Sequence, residues 1–90
     1  MKKAVISVLG KDRVGIISTV SSVLSENNVN ILDISQTILQ DMFTMMMLVD
    51  VADSKLKFAE LSDILSLEGD KLGVEIRIQL EDIFQAMHRI

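Results

Sequence analysis

The segment 10–17, Gly-Lys-Asp-Arg-Val-Gly-Ile-Ile, is the part of the chain best suited to bind a ligand. Two glycines five positions apart suggest a phosphate-binding loop, but that loop ends in Gly-Lys-Ser/Thr, whereas Ile16 and Ile17 follow Gly15 here. Gly15 lies in the first turn of a predicted helix, where free backbone N–H groups favour an anion such as a carboxylate. Glycine also lets a ligand approach the backbone closely. The segment therefore predicts an anion site made by backbone groups.

A purely structural interpretation of the same residues stays open. Gly15 could simply allow the helix to pack on a sheet, with Asp12 as the N-cap and Lys11 and Arg13 as a solvated rim. The spacing alone does not decide between these interpretations.

The composition argues against several other kinds of site. The 90 residues include no Cys, Trp or Tyr, and one His. Thiol chemistry, disulfides and Cys-based zinc sites are therefore excluded. The net charge of −4 and the three Phe residues argue against binding to nucleic acid. Asp12, Asp33 and His88 are available for acid–base chemistry, but no motif links them. We expect no enzymatic activity, no cofactor and no metal.

Hydrophobic periodicity predicts the elements that position these residues. Alternating segments predict strands over 3–9, 32–40, 42–51 and 74–80, and helical periods predict helices from Val14 and over 54–72. Asn27-Asn28 is expected to end the first helix, and Ser54 to cap the second. The tail 81–90 changes period again and predicts a short C-terminal helix.

The order β-α-β-β-α-β predicts one α+β domain over residues 1–90. It is the ferredoxin-like βαββαβ sandwich, a four-stranded antiparallel sheet with two helices on one face, plus the short C-terminal helix. Strands 1 and 3 are expected in the centre of the sheet. Strand 2 carries a polar row, Asp33, Ser35 and Thr37, which is either an ordinary wet edge or the border of a ligand cleft.

Strand 3 is apolar on both faces, and this bears on assembly. Phe43, Met45 and Met47 share one face, and Met42 and Met46 share the other with Leu48. Two helices cover only one face of the sheet, so the second face needs cover from the tail helix or from another subunit. We predict a homodimer or a higher homo-oligomer.

Five segments together resemble the ACT domain family. They are the turn 10–16, Asn-Val-Asn-Ile at 28–31, Asp-Ile-Ser-Gln-Thr at 33–37, Phe-Thr-Met-Met at 43–46, and the tail Ile-Phe-x-Ala-Met at 83–87. The last three look closest to the small stand-alone UPF0237 proteins, which are similar to the ACT repeats of the glycine-cleavage regulator. The resemblance covers essentially the whole chain in element order.

The resemblance implies a ligand site at the turn and before strand 2. The implied binding residues are Asp12, Arg13, Val14, Gly15 and Ile16 in the turn, with Asn30 and Ile31 before strand 2. The family places the asparagine position across a dimer interface, which forms side by side through helix 1 and strand 2. Asp12 could pair with a ligand ammonium but would repel a carboxylate, which Gly15 and Ile16 N–H groups would then bind. Asn30 also has a simpler interpretation, in which it only shapes the turn.

ACT domains are regulatory modules, so the resemblance implies a small-molecule ligand, with an amino acid as the first class to expect. The alternative is a ligand-free protein-interaction adaptor with the same fold, favoured by the acidic Asp12 and by Gly10, where family members can carry a polar side chain. No signal peptide and no apolar run of about 20 residues is visible, so we expect a cytoplasmic protein without membrane or nucleic-acid partners.

Overall fold

The computed structural model describes residues 1–82. Six elements follow in chain order: β1 (Lys3–Lys11), α1 (Ile16–Glu26), β2 (Asn30–Leu39), β3 (Met42–Asp50), α2 (Phe58–Leu72) and β4 (Val74–Leu80). The predicted C-terminal helix lies, apart from helical Glu81 and Asp82, outside the described residues. Neither described helix is long and apolar enough to cross a membrane.

The strands form one antiparallel sheet in the order β2-β3-β1-β4. The ferredoxin-like fold is therefore confirmed, with strands 1 and 3 in the centre. A register shift between Ile31 and Asp33 marks an irregularity near the start of β2. A two-residue hairpin at Gln40-Asp41 joins β2 to β3, and Gln40 adopts a φ of 59° there.

The core lies between the helices and one face of the sheet. Alternation decides which side chains enter it, because successive residues of a strand point to opposite faces. Met45 and Met47 are 0% and 1% exposed, whereas Met46 between them is 36% exposed. The buried strand residues on this face come from β1 (Ala4, Ile6, Val8), β3 (Phe43, Met45, Met47, Val49) and β4 (Val74, Ile76, Ile78). The prediction that the methionine run divides between faces is confirmed.

β1 is longer than predicted, because Gly10 belongs to the strand instead of opening the turn. Gly10 pairs with Phe43 on one side and with Val74 on the other. A Cβ on Gly10 would lie 2.6 Å from Val74 Cγ1. Gly10 therefore permits close packing against β4, which gives a structural reason for the missing side chain at this position.

α2 begins four residues later than predicted, at Phe58, and Ser54 does not cap it. The Ser54 hydroxyl serves a local turn, accepting from Leu56 N–H at 3.1 Å and donating to the Leu56 carbonyl at 2.9 Å. The helix instead starts with Lys57 N–H donating to Glu60 Oε1 at 3.0 Å. It ends at Gly73, whose φ of 75° is the left-handed C-terminal conformation.

Candidate ligand-binding site

The turn between β1 and α1 brings Gly15 to the start of the helix in a left-handed conformation. Gly15 has a φ of 96°, and α1 begins at Ile16 instead of Val14. A Cβ added to Gly15 would meet nothing within 4 Å, so the glycine is not there to allow packing on the sheet. The structure shows open space over the backbone at this position. This observation rules out packing on the sheet as the reason for Gly15, whereas its left-handed φ is a backbone reason for glycine at this position.

Among residues 1–82, no side chain caps the N-terminus of α1. Thr19 N–H donates to the Gly15 carbonyl at 3.0 Å and closes the first turn, which leaves the N–H groups of Ile16, Ile17 and Ser18 without an intrahelical partner. The Ser18 hydroxyl donates to the Gly15 carbonyl at 3.2 Å and caps none of these groups. Asp12 is not the N-cap that the structural interpretation required. The first turn of α1 is therefore available to an acceptor such as a carboxylate.

A cleft of about 420 Å³ opens at this helix end. Its walls come from the turn, the start of α1, the helix-facing side of β2 and β3. The lining residues are Asp12, Arg13, Gly15, Ile16, Ile17, Ser18, Gln36, Ile38 and Phe43. We call this cleft the turn cleft. Asp12 N–H donates to the Asp41 carbonyl at 2.7 Å, so the β2–β3 hairpin fixes the turn in place.

The turn cleft has an apolar floor and charged groups at its rim. Ile16 and Phe43 are buried, whereas Asp12 and Arg13 are exposed. Arg13 Nη1 donates to the Leu72 carbonyl at 3.0 Å, at the last turn of α2. This bond ties the turn to the second helix. Val14 is 96% exposed and does not line the cleft.

Asn30 and Ile31 lie in a different cleft, at the other end of α1. This second cleft has a volume of about 360 Å³ and is lined by Ser21, Ser25, Asn28, Val29, Asn30 and Ile31. We call it the asparagine cleft. Within one chain, the structure therefore does not bring Asn30 together with Asp12 and Gly15.

The three asparagines of this region have different roles. Asn27 Nδ2 donates to the Val23 carbonyl at 2.8 Å, and Asn28, with a φ of 61°, donates to the Asp53 carbonyl at 3.2 Å. These two residues end α1, as predicted. Among the described residues, the exposed Asn30 side chain has no hydrogen-bond partner. Asn30 is therefore the asparagine of this group left available for a ligand.

A strip of α1 and β2 connects the two clefts. Ile17 belongs to the turn cleft, and Ser21 and Ser25 follow at helical spacing toward the asparagine cleft. Beside them, Ile34 and Ile38 of β2 are 41% and 52% exposed, although they pair with buried β3 residues on the helix-facing side. We call this surface the α1/β2 strip.

Two β2 residues that line the turn cleft were not predicted from the sequence, and one row of residues predicted as a possible border of the cleft does not line it. Gln36 and Ile38 line the turn cleft, and their shared strand face was the signal that could have identified them. The polar row of Asp33, Ser35 and Thr37 pairs with Leu48, Met46 and Thr44 on the sheet face away from the helices. That row is a wet edge and does not border the turn cleft.

Comparison with known proteins identifies the family. A profile of the ACT domain family matches residues 2–79. A UPF0237 protein of Methanocaldococcus jannaschii is 53% identical over 90 residues, the whole of both chains. A solved ACT domain protein from Streptococcus pneumoniae is 44% identical, covers 93% of this chain and 94% of its own, and superposes with a TM-score of 0.80.

A solved structure described as a putative glycine cleavage system transcriptional repressor shares the fold, with a TM-score of 0.77 and 24% identity. The match covers 88% of this chain and 45% of that protein. With a family profile spanning most of the chain and a relative more than half identical over its full length, the chain belongs to the ACT domain family and to its UPF0237 group.

Proposed function

We propose that this chain is a regulatory module that binds a small molecule, with an amino acid as the first ligand class, and that it works as a homodimer. The observation that carries the proposal is the uncapped N-terminus of α1, which opens into a cleft of about 420 Å³ beside Gly15. Its volume lies in the range of about 300–1,000 Å³ typical of ligand pockets.

The groups in the turn cleft suit the two ends of an amino acid. A carboxylate would accept from the free N–H groups of Ile16 and Ile17, where the helix dipole also favours negative charge. Asp12 at the rim would pair with the ammonium group. Ile38 and Phe43 would contact an apolar part of the ligand.

Dimerisation would bring the two separated halves of the predicted site together. The turn cleft and the asparagine cleft lie at opposite ends of the α1/β2 strip. In a two-fold symmetric contact the same patch meets itself, so one end of the strip faces the other end on the partner. Asn30 of one protomer would then approach the turn cleft of the other, in line with the arrangement that the family resemblance implies.

The exposed isoleucines support this interface. Ile34, Ile38 and Ile17 are each at least 39% exposed on one side of the molecule. Contiguous apolar surface of this kind marks interaction sites. Such a module acts by shifting the populations of two states of the dimer or of a bound protein when its ligand binds. No chemical step is assigned to it.

A thermal-shift screen of the amino acids tests the proposal. A ligand present at 100 times its Kd should stabilise the native protein by about 2.7 kcal/mol. Asp12→Ala and Asn30→Ala should each abolish the response. Asp63→Ala, which changes an exposed carboxylate on α2, should preserve it.

Two outcomes would contradict the proposal. The ligand function fails if no amino acid or related metabolite raises the Tm, and co-purification of one protein partner would then select the adaptor alternative. The site assignment fails if a response survives both Asp12→Ala and Asn30→Ala.

A further inference from the structure

β4 is an edge strand, and no strand within residues 1–82 pairs with its outer side. An unpaired strand edge presents a row of backbone N–H and C=O groups that can bind a further strand. β4 is regular over its whole length, since its register with β1 runs without a shift from Val74 to Leu80. It contains no proline, so every residue keeps its N–H group. β4 therefore has the backbone needed to add a strand.

The opposite edge of the sheet is less regular. β2 has a register shift between Ile31 and Asp33. The Asp33 carboxylate also accepts from the N–H of Ile34 at 2.9 Å, so a side chain of β2 bonds to its own backbone. Irregularities of the strand protect an edge against the addition of a further strand. Of the two edges, β4 is thus the one with the uninterrupted backbone.

α2 covers the helix-facing side of β4 but leaves its outer edge accessible. A groove of about 370 Å³ lies along this edge, between Ser66 and Asp70 of α2 and residues 73–77. The side chains of Glu75 and Arg77 are 54% and 70% exposed. In the part of the chain that the structure describes, the edge and the charged side chains beside it are therefore open to a partner.

The charged side chains beside this edge have opposite signs and lie two residues apart. Glu75 and Arg77 are on the same face of β4, and Arg77 Nε donates to Glu75 Oε1 at 2.7 Å. When two copies of a strand pair antiparallel around a two-fold axis perpendicular to the sheet, residues that lie opposite each other share a face. Such a pairing is always centred on one residue, which lies opposite its own copy.

The charges select one of these registers. In the register centred on Ile76, Glu75 of each copy lies opposite Arg77 of the other. In the register centred on Arg77 the two arginines lie opposite each other, and in the one centred on Glu75 the two glutamates do. Opposite charges directly across two strands stabilise their pairing, and like charges destabilise it. The register centred on Ile76 also places Val74 opposite Ile78 on the apolar, helix-facing side.

We propose that β4 pairs antiparallel with β4 of a second copy, in the register centred on Ile76, and joins two four-stranded sheets into one sheet of eight strands. A second copy is the occupant because the Glu75/Arg77 pattern is its own complement. The two-fold axis keeps the helices of both copies on the same side of the joined sheet.

This contact lies at the opposite edge of the sheet from the α1/β2 strip and does not depend on the proposed ligand site. A chain that uses both edges assembles into oligomers larger than a dimer. The variant Ile38→Lys separates the two contacts, since it places a charge on the strip and leaves β4 unchanged. Loss of the β4 contact would therefore leave the proposed function standing, and the reverse also holds.

Disulfide trapping in the full-length chain tests the pairing, because the sequence contains no cysteine. Residues directly opposite each other in antiparallel strands have Cα atoms about 4.5–5.5 Å apart, within the range that a disulfide spans. An equimolar mixture of Glu75→Cys and Arg77→Cys chains should therefore oxidise to a disulfide-linked dimer with one chain of each kind, identified by its mass. Each variant alone should oxidise at least tenfold more slowly, because its two cysteines are offset along the strands.

Two results of the trapping experiment would overturn the proposal. One is an equal rate for the mixture and for the single variants. The other is a faster reaction of Arg77→Cys alone, which would place the two copies of this residue opposite each other.

Charge reversal gives a second measurement that needs no cysteine. In the Ile38→Lys background, Glu75→Arg and Arg77→Glu each place like charges opposite each other and should raise the Kd of self-association at least tenfold. Their equimolar mixture restores both opposite-charge pairs and should associate as tightly as the parent. Glu26→Arg makes the same charge change at the exposed end of α1 and should have no effect.

Sedimentation at increasing concentrations measures these affinities. The proposal is wrong if the Ile38→Lys parent stays monomeric at high micromolar concentration. It is also wrong if the mixture of the two reversed chains associates no better than either chain alone.

Discussion

Each edge strand of the sheet directs two isoleucines toward the helices, but the two pairs differ in burial. β4 directs Ile76 and Ile78 toward the helices, and they are 5% and 7% exposed. β2 directs Ile34 and Ile38 toward the same side, and they are 41% and 52% exposed. β2 follows α1 in the chain, and β4 follows α2. The difference in burial therefore depends on how closely each helix packs on the strand that follows it.

Glycine accounts for close packing at the β4 edge. A Cβ on Gly69 of α2 would lie 2.8 Å from the Val74 carbonyl oxygen, and one on Gly10 would lie 2.6 Å from a Val74 methyl group. Both glycines bring neighbouring elements close to β4. At the β2 edge, two clefts and the exposed isoleucines leave open surface, which the proposed function assigns to a ligand and a second copy. Within residues 1–82, α2 covers the helix-facing side of β4, whereas α1 leaves the isoleucines of β2 exposed.

Isoleucine truncation should give the largest contrast between the edges. Ile76→Ala leaves a cavity in the core and should lower the free energy of unfolding by about 2–5 kcal/mol. Ile38→Ala removes atoms from a half-exposed side chain and should cost about 1 kcal/mol or less. Urea unfolding at low protein concentration measures both values. Equal losses would show that the two edges are buried alike in solution.

Gly69→Ala tests the close packing of α2 on β4. Alanine is the better helix former by about 1 kcal/mol, but its methyl group would be forced against the Val74 backbone. We expect the steric effect to dominate and the variant to lose about 1–3 kcal/mol. Ser66→Ala, at an exposed position of the same helix, is the control and should be neutral or slightly stabilising. A stabilised Gly69→Ala would contradict the packing argument.

A charge on the α1/β2 strip should weaken assembly without unfolding the chain. Ile38→Lys is expected to raise the dimer Kd at least tenfold, which corresponds to about 1.4 kcal/mol. Ile64→Lys is the matched control, since Ile64 is an exposed isoleucine (36%) on α2. Sedimentation over a range of concentrations measures both. A wild-type monomer at micromolar concentration, or equal effects of the two variants, would count against this interface.

The smallest expected effect is a pH dependence at the end of β3. The hydrogen bond from Ala52 N–H lowers the pKa of Asp50 below its usual 3.8, with a second contribution from Lys2 N–H and an opposing one from desolvation. A lowered folded-state pKa stabilises the protein above the unfolded-state value, and this stabilisation is lost as the pH falls through the folded-state pKa.

The stability difference between the wild type and Asp50→Asn should therefore grow up to about pH 5 and stay constant above it. Chemical unfolding from pH 2 to 7 measures the difference. If the stability difference does not change with pH, these two hydrogen bonds do not lower the pKa of Asp50 in solution. Because Asp50 lies at the end of a central strand, the effect should be unchanged in Ile38→Lys.

Periodicity was sufficient to predict the fold because it reflects burial. The alternation of Val74, Ile76 and Ile78 predicted β4 with its observed bounds, and the apolar faces of strand 3 placed it in the centre. Helix starts were less predictable, because they depend on which polar group satisfies a few N–H groups. Ser54 has the side chain of a good cap, but its hydroxyl is used in a local turn.

Some residues of the candidate site could be singled out from the sequence, but their arrangement could not. The glycine at position 15 and the asparagine at position 30 stand out in the sequence, since each residue type suits a local backbone or side-chain role. Only the tertiary structure shows that they lie in different clefts at opposite ends of α1.

The element order, the central strands and the family resemblance follow from local periodicity and short motifs, so the amino-acid sequence is enough to predict them. That α2 covers β4 while β2 stays exposed beside α1 is seen only in the folded molecule. Edge burial depends on how closely whole elements pack, as where Gly10 of β1 lies against Val74 from the other end of the chain and Gly69 lets α2 pack on the strand that follows it.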